Sequence, residues 1–145
     1  TIGTMVAAKR KECPMNHRLL IALLLTMLAN PAAAQSIDVS DNHGGRVTDY
    51  NTRWAANAAR GVKVRIVGPC KSACTVLLGH IPRSRICVTP QASFGFHLAR
   101  LEAAPRTLWN AYQPDIRAWI NQRGGLTNNF IWMRAPDTYR FFKNC

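Results

Sequence analysis

The chain has 145 residues, of which 48% are hydrophobic, and a formal net charge of +12 at pH 7. This length allows one domain with a single core and excludes two. After the first 34 residues, the arginines are scattered from Arg46 to Arg140 without an arginine-rich run, which indicates a solvated basic face rather than a nucleic-acid site.

The first quarter of the chain has the order of a cleavable secretory signal. Basic residues precede an apolar run of about ten residues over 19–28, and Ala32 and Ala34 occupy the two positions that a signal peptidase reads. A bilayer span needs roughly twenty apolar residues, so an uncleaved anchor or a buried helix is the weaker interpretation. We therefore predict an N-terminal extension and cleavable signal over 1–34 and one domain over 35–145. We expect no stable membrane anchor and a periplasmic or secreted location.

The mature domain begins with alternating predicted elements. The pattern predicts a strand over 37–39, a glycine turn over 41–45, a helix over 47–61, a strand over 62–67 and a short helix over 72–78. Gly68-Pro69 is expected to end the second of these strands.

The second half continues this alternation and ends in helical segments. A turn over 81–85 is followed by strands over 86–88 and 93–96. A helix over 108–120 is kinked or restarted by Pro114, and two short turns are expected over 127–133 and 137–141. Strands that alternate with helices predict an α/β fold with a mostly parallel sheet.

Four cysteines lie in the mature domain, an even number that is typical of disulfides in an oxidising compartment. Of the three ways to pair them, we expect Cys74 with Cys87 and Cys70 with Cys145. The helix that Cys74 begins returns to the strand of Cys87, and Cys145 lies at a free end. Zinc is the alternative for the Cys70-x-x-x-Cys74 spacing, but no second pair follows at ligand spacing, so no metal site is predicted.

Three loops are expected at the carboxyl ends of the strands, where ligands bind in a parallel sheet. They contain Gly44-Gly45, Ser72-Ala73 and His97. A serine at a strand-to-helix turn exposes its hydroxyl, and the N–H of Ala73 would point toward a developing oxyanion. With Gly45 as a second donor and His97 as the base, the pattern predicts Ser72 as a nucleophile.

Each of these residues also has an ordinary structural interpretation. A double glycine alone is commonly a turn, a serine at a helix start is commonly an N-cap, and a lone histidine commonly lies near the core. Lys71 is a weaker candidate for the base, because adjacent residues at a helix start diverge. His43 and His80 have no matching partner in the pattern.

Taken together, these motifs resemble a family. Gly44-Gly45, Gly68-x-x-x-Ser72, Pro90 and His97 are similar in order and spacing to the proteolytic subunit of Clp protease and its relatives in the ClpP/crotonase superfamily, above all to periplasmic ClpP-like proteins of bacteria. The resemblance covers residues 37–97. It implies a trimmed ClpP/crotonase-like fold, a mostly parallel sheet flanked by helices, and an oxyanion hole that includes the double glycine.

The chain departs from the family at the serine turn and at the third catalytic residue. Cys70, Lys71 and Cys74 stand where the family has small residues. Phe130 aligns with the family's catalytic aspartate, and the nearby polar alternatives have no clear match: Asn128, Asn129 and Asp137.

Two functions from different classes are compatible with this pattern. The first is an exported serine hydrolase, in particular a peptidase, with a peptide or protein substrate and no metal or organic cofactor. The second is a catalytically inactive ClpP-like module that binds a peptide or a protein. A crotonase-like acyl-thioester binder fits an exported protein poorly, because its coenzyme is cytoplasmic. The family's ring assemblies make a homo-oligomer compatible with either function.

Overall fold

A computed structural model describes residues 35–101 and 103–145 of the chain. The predicted extension and signal over 1–34 lie outside the described residues. Among the helices that are described, none has the length and apolar character needed to cross a bilayer.

Six described strands form one sheet. They are β1 (Ser36–Asp41), β2 (Lys63–Lys71), β3 (Ile86–Val88), β4 (Ser93–Phe96), β5 (Ile131–Arg134) and β6 (Lys143–Asn144). β2 pairs in parallel with β1, β3 and β4, and β6 extends the sheet in parallel beyond β3. β5 runs antiparallel to β4. The sheet is therefore mostly parallel, and the predicted α/β class is confirmed at that level.

Four α-helices are described, and all of them lie between strands: α1 (Val47–Ala59), α2 (Leu77–His80), α3 (Ala104–Ala111) and α4 (Pro114–Asn121). Short 3₁₀ segments occupy Ser72–Val76, Arg83–Arg85 and Asp137–Arg140. Pro114 restarts the predicted long helix rather than kinking it, because proline fits the first turn of a new helix.

Apolar side chains from the sheet and from the helices pack together in one core. Val64 and Ile66 alternate inward along β2, and both are buried. Phe96 of β4 is fully buried and packs edge-to-face on Tyr112 between α3 and α4, with ring centroids 5.0 Å apart. Burial of each such side chain contributes roughly 1.5–3 kcal/mol, so this packing fixes the end of β4 against the helices.

Two predicted boundaries are wrong, and long-range pairing explains both. β2 does not end at Gly68-Pro69 but continues to Lys71, because Pro69 begins the ladder with Ser93 of β4. This is the point at which β2 changes partner from β3 to β4, where the missing N–H of a proline is tolerated. The last three residues of the predicted turn over 127–133 belong to strand β5, which pairs with β4.

The predicted disulfide pairing is also wrong, although two disulfides are present. Cys70 is bonded to Cys74, with Cα atoms 5.3 Å apart, because the chain turns sharply where β2 ends. Cys87 in β3 is bonded to Cys145, with Cα atoms 4.9 Å apart, because β6 brings the C-terminus alongside β3. Two disulfides are typical of a non-cytoplasmic environment.

Candidate active site

Ser72 lies in a strained turn directly after β2. Its φ is 57°, in the left-handed region that residues other than glycine rarely adopt. The Cys70–Cys74 disulfide closes a ring around this turn, and both sulfur-bearing residues are buried. Strained backbone of this kind persists only where its surroundings hold it, and it is concentrated at functional sites.

A chain of hydrogen bonds through Thr75 and Tyr112 stabilises the same turn. The Thr75 hydroxyl donates to the Ser72 carbonyl oxygen at 2.6 Å and lies 2.7 Å from the Tyr112 hydroxyl. Burial raises the pKa of Tyr112, so its hydroxyl stays protonated and donates to Thr75. The serine turn is thereby connected to the helical layer.

The Ser72 hydroxyl oxygen lies 2.7 Å from Nε2 of His97. β2 and β4 are parallel neighbours, so the residues after their carboxyl ends come to the same edge of the sheet. Burial, and then the positive charges of Lys71 and Arg100, lower the pKa of His97 below its ordinary value of 6.5. His97 is therefore neutral at pH 7 and can accept a proton from Ser72.

The other face of His97 meets an aromatic ring instead of a carboxylate. The Phe130 ring lies against the imidazole, with centroids 4.3 Å apart. Within residues 35–101 and 103–145, the hydrogen bond to Ser72 is the only one that the His97 side chain makes. The Asp137 carboxylate instead accepts hydrogen bonds from Trp119 and Arg123.

Neither asparagine alternative for the third residue meets His97. Asn128 and Asn129 are exposed, and the Asn129 N–H donates to the Thr127 hydroxyl. The structure thus brings together two members of the predicted site, Ser72 and His97, and leaves the carboxylate position without a described acid.

The double glycine lies beside Ser72. A Cβ at Gly44, whose φ is 68°, would be 3.0 Å from the Ser72 Cβ, so only glycine allows this approach. The N–H of Gly45 has no acceptor within the described residues, and the N–H of Ala73 lies in the first turn after β2, where such groups lack a helical acceptor. Gly45 is exposed, so its N–H is accessible to an incoming oxygen, whereas Ala73 is fully buried.

Asp41 and Tyr50 hold this glycine loop, and sequence reasoning missed them. The Asp41 carboxylate accepts the N–H of His43 and of Gly44, and the single O–H of Tyr50 is shared between Asp41 and the Gly44 carbonyl. Burial alone would raise the pKa of Asp41, but these hydrogen bonds lower it, so the acid stays ionised. An aspartate three residues before a double glycine was the available signal.

The remaining candidates stand apart from the serine. His80 pairs through Nε2 with the Asn51 side chain at 2.8 Å, and His43 is exposed. Lys71 lies over the Phe130 ring, with Nζ 5.0 Å from its centroid. In the part of the chain that the structure describes, no three His, Cys, Asp or Glu side chains are grouped as metal ligands.

No protein-family model and no curated protein matches the sequence. A search of solved structures finds similarity to a peptidase from Plasmodium falciparum. The two chains are 12% identical with a TM-score of 0.44, and the match covers 86% of this chain and 82% of that chain.

Proposed function

We propose that the protein is an exported, ClpP-like serine hydrolase that cleaves peptides, with Ser72 as nucleophile and His97 as general base. One observation carries the proposal: the Ser72 hydroxyl lies 2.7 Å from Nε2 of His97, and Ser72 occupies a strained turn. A serine needs a base within hydrogen-bond reach to attack an acyl carbon. The nearby double glycine supports the same reaction.

The reaction proceeds in two acyl-transfer steps. As Ser72 Oγ attacks the peptide carbonyl carbon, His97 Nε2 takes the hydroxyl proton, and the N–H groups of Gly45 and Ala73 donate to the oxyanion. Each such donor contributes roughly 3 kcal/mol in comparable enzymes. His97 then gives the proton to the leaving amine. Water, deprotonated by His97, attacks the acyl-enzyme, and His97 returns this proton to Ser72 Oγ as the second product leaves.

Apolar surface directly after His97 offers a place for peptide side chains. Leu98 is 41% exposed and Leu101 is 65% exposed. Leu98 borders a cleft of about 360 Å³ with Trp109 and Leu126, and Leu101 borders another of about 450 Å³ with Val47. Clefts of this size with apolar lining are typical of ligand sites.

Export is part of this proposal. The two disulfides support an oxidising compartment, and the small residues Ala32 and Ala34 support cleavage before Gln35. The intact mass of the exported protein tests it, since a retained apolar run over 19–28 would contradict export by a cleaved signal.

Labelling with a fluorophosphonate tests the activity without knowledge of the substrate. We expect the probe to modify Ser72, Ser72→Ala to abolish labelling, and His97→Gln to slow it by at least about 100-fold, the usual contribution of a general base. Ser84→Ala and His80→Gln are the matched controls, since both residues lie away from the pair. Equal labelling of Ser72→Ala and the unchanged protein would overturn the proposal.

The second candidate is a non-catalytic module that binds peptides. Phe130 favours it, because an aromatic ring stands against His97 where the family has a carboxylate. The same experiment separates the two functions: no labelling of Ser72, together with saturable binding of peptides, would establish the module.

A further inference from the structure

Two cations accompany the Ser72–His97 pair. Lys71 precedes Ser72 inside the ring closed by the Cys70–Cys74 disulfide, and its ammonium lies over the Phe130 ring that contacts His97. Arg100 follows His97 by three residues and is exposed. Both charges act on the imidazole and lower the pKa of His97. The catalytic pair therefore lies in a positive field.

No described carboxylate balances these charges. The ion pairs within residues 35–101 and 103–145 join other residues: Arg65 with Asp38, Arg83 with Asp115, and Arg123 and Arg140 with Asp137. Asp41, near the glycine loop, is occupied by Tyr50 and by backbone N–H groups. None of the ion pairs within residues 35–101 and 103–145 includes Lys71, so an anion that enters the site meets no competing carboxylate from these residues.

The position of Lys71 indicates which part of a substrate carries that anion. In acyl transfer the base protonates the leaving amine, so the leaving-group residue lies on the histidine side of the serine. Lys71 lies on this side, because its ammonium packs on the Phe130 ring and the same ring packs on the His97 imidazole. The oxyanion donors proposed above belong to the glycine loop and to Ala73, and they serve the carbonyl oxygen instead.

We propose that the site selects peptides whose leaving-group residue carries a carboxylate, with Lys71 as the residue that recognises it. The carboxylate is either the C-terminus of the peptide or the side chain of Asp or Glu. The inference depends on the proposed serine hydrolase for its kinetic readout. Lys71 is half-buried, and an ion pair at such a place contributes up to about fivefold in affinity.

Four peptides of otherwise identical sequence test this preference. The first ends in a free carboxylate on the leaving-group residue and the second is its amide. The third and fourth are amides with Glu or Gln at that residue. We expect kcat/KM to be about twofold to fivefold higher for the acid than for the amide in the first pair, or for the Glu peptide than for the Gln peptide in the second pair, mainly through KM. The two comparisons distinguish a C-terminal carboxylate from an acidic side chain.

Variants of Lys71 assign the preference to this residue. Lys71→Met should remove the difference between acid and amide, whereas Lys71→Arg should keep it. Lys63→Met is the control, because Lys63 is an exposed lysine elsewhere on β2. Fluorophosphonate labelling of Ser72 in each variant shows that the turn is still folded. Equal kcat/KM for the acid and amide members of both pairs, or a preference that survives Lys71→Met, would overturn the inference.

Failure of the proposed function is separable from failure of this inference. If the unchanged protein is not labelled by fluorophosphonate, fluorescent versions of the four peptides are titrated and their Kd values compared. Tighter binding of the carboxylate peptides that is lost in Lys71→Met supports the inference without catalysis. Equal binding of acids and amides rejects it.

Discussion

In the proposed mechanism His97 is the base, and its described neighbours are an aromatic ring and two cations rather than a carboxylate. Burial and the charges of Lys71 and Arg100 lower its pKa, so it is neutral but weakly basic at pH 7. Loss of the orienting carboxylate reduces the rate of comparable enzymes by about four orders of magnitude. We therefore expect slow hydrolysis of generic peptides, and faster hydrolysis only of substrates that make additional contacts with the site.

The pH dependence of labelling follows from this environment. Only neutral His97 accepts the Ser72 proton, so the labelling rate should rise as pH increases through the His97 pKa. Since that pKa is lowered, the midpoint of the profile, where the labelling rate is half-maximal, should lie below pH 6.5. Lys71→Met removes one cation and should move the midpoint upward, while burial keeps it from exceeding 6.5. A midpoint above 6.5 in the unchanged protein would contradict the lowered pKa of His97.

Phe130 is the residue at which a carboxylate could be restored. The centroids of its ring and of the imidazole are 4.3 Å apart. We therefore expect the carboxylate of Phe130→Asp to raise the pKa of His97 by about one unit or more. We expect peptide hydrolysis to become at least about tenfold faster than in Phe130→Leu, which loses the ring without adding charge. The comparison is made in a Lys71→Met background, where no ammonium competes for the carboxylate. Equal rates in the two variants would mean that the imidazole is oriented by something other than this residue.

The glycine loop between β1 and α1 packs closely against Ser72. Gly44→Ala would place a Cβ 3.0 Å from the Ser72 Cβ, in a backbone with a φ of 68°. Gly124 also has a positive φ, 93°, but a Cβ there meets nothing within 4 Å. Both substitutions should lower the free energy of unfolding by about 1–2 kcal/mol through backbone strain. Only Gly44→Ala should also slow the labelling of Ser72, as measured by mass spectrometry, so a similar loss of labelling in Gly124→Ala would contradict this role.

The elements that position Ser72 and His97 were predictable because they depend on local pattern. The alternation from Val62 to Val67 marks β2, and parallel strands bring residues at their carboxyl ends together. The contact between Phe130 and His97 depends on β5, whose antiparallel pairing with β4 overrides a sequence that resembles a turn. Residues far apart in sequence determine such pairing, so hydrophobic periodicity does not show it.

The disulfides illustrate the same limit. Cys70 and Cys74 pair because β2 extends past Gly68-Pro69 and the turn closes on itself. Cys87 meets Cys145 because the final two-residue strand, β6, lies beside β3. Spacing alone left three pairings open, and the one chosen assumed that the C-terminus reaches the serine turn.

Across the domain as a whole, the two disulfides constrain the chain over very different lengths. The Cys70–Cys74 bond joins residues 4 apart in sequence, and the Cys87–Cys145 bond joins residues 58 apart. A cross-link restricts the unfolded chain more when it closes a longer loop, which gives about 2 kcal/mol for the first bond and about 4 kcal/mol for the second. Against a total stability of roughly 5–15 kcal/mol, the second bond is a large share.

Stability and reactivity should therefore respond to different bonds. Replacing Cys87 and Cys145 with alanine should lower the free energy of unfolding by about 4 kcal/mol and leave the labelling rate of folded protein nearly unchanged. Replacing Cys70 and Cys74 should cost only about 2 kcal/mol, but it should slow labelling, because the ring that holds the Ser72 backbone is opened. Urea denaturation and labelling below the unfolding transition measure the two effects. Equal labelling rates in both double variants would show that the Cys70–Cys74 ring does not hold the serine, and the hydrogen bond from Thr75 to the Ser72 carbonyl would then be the contact that does.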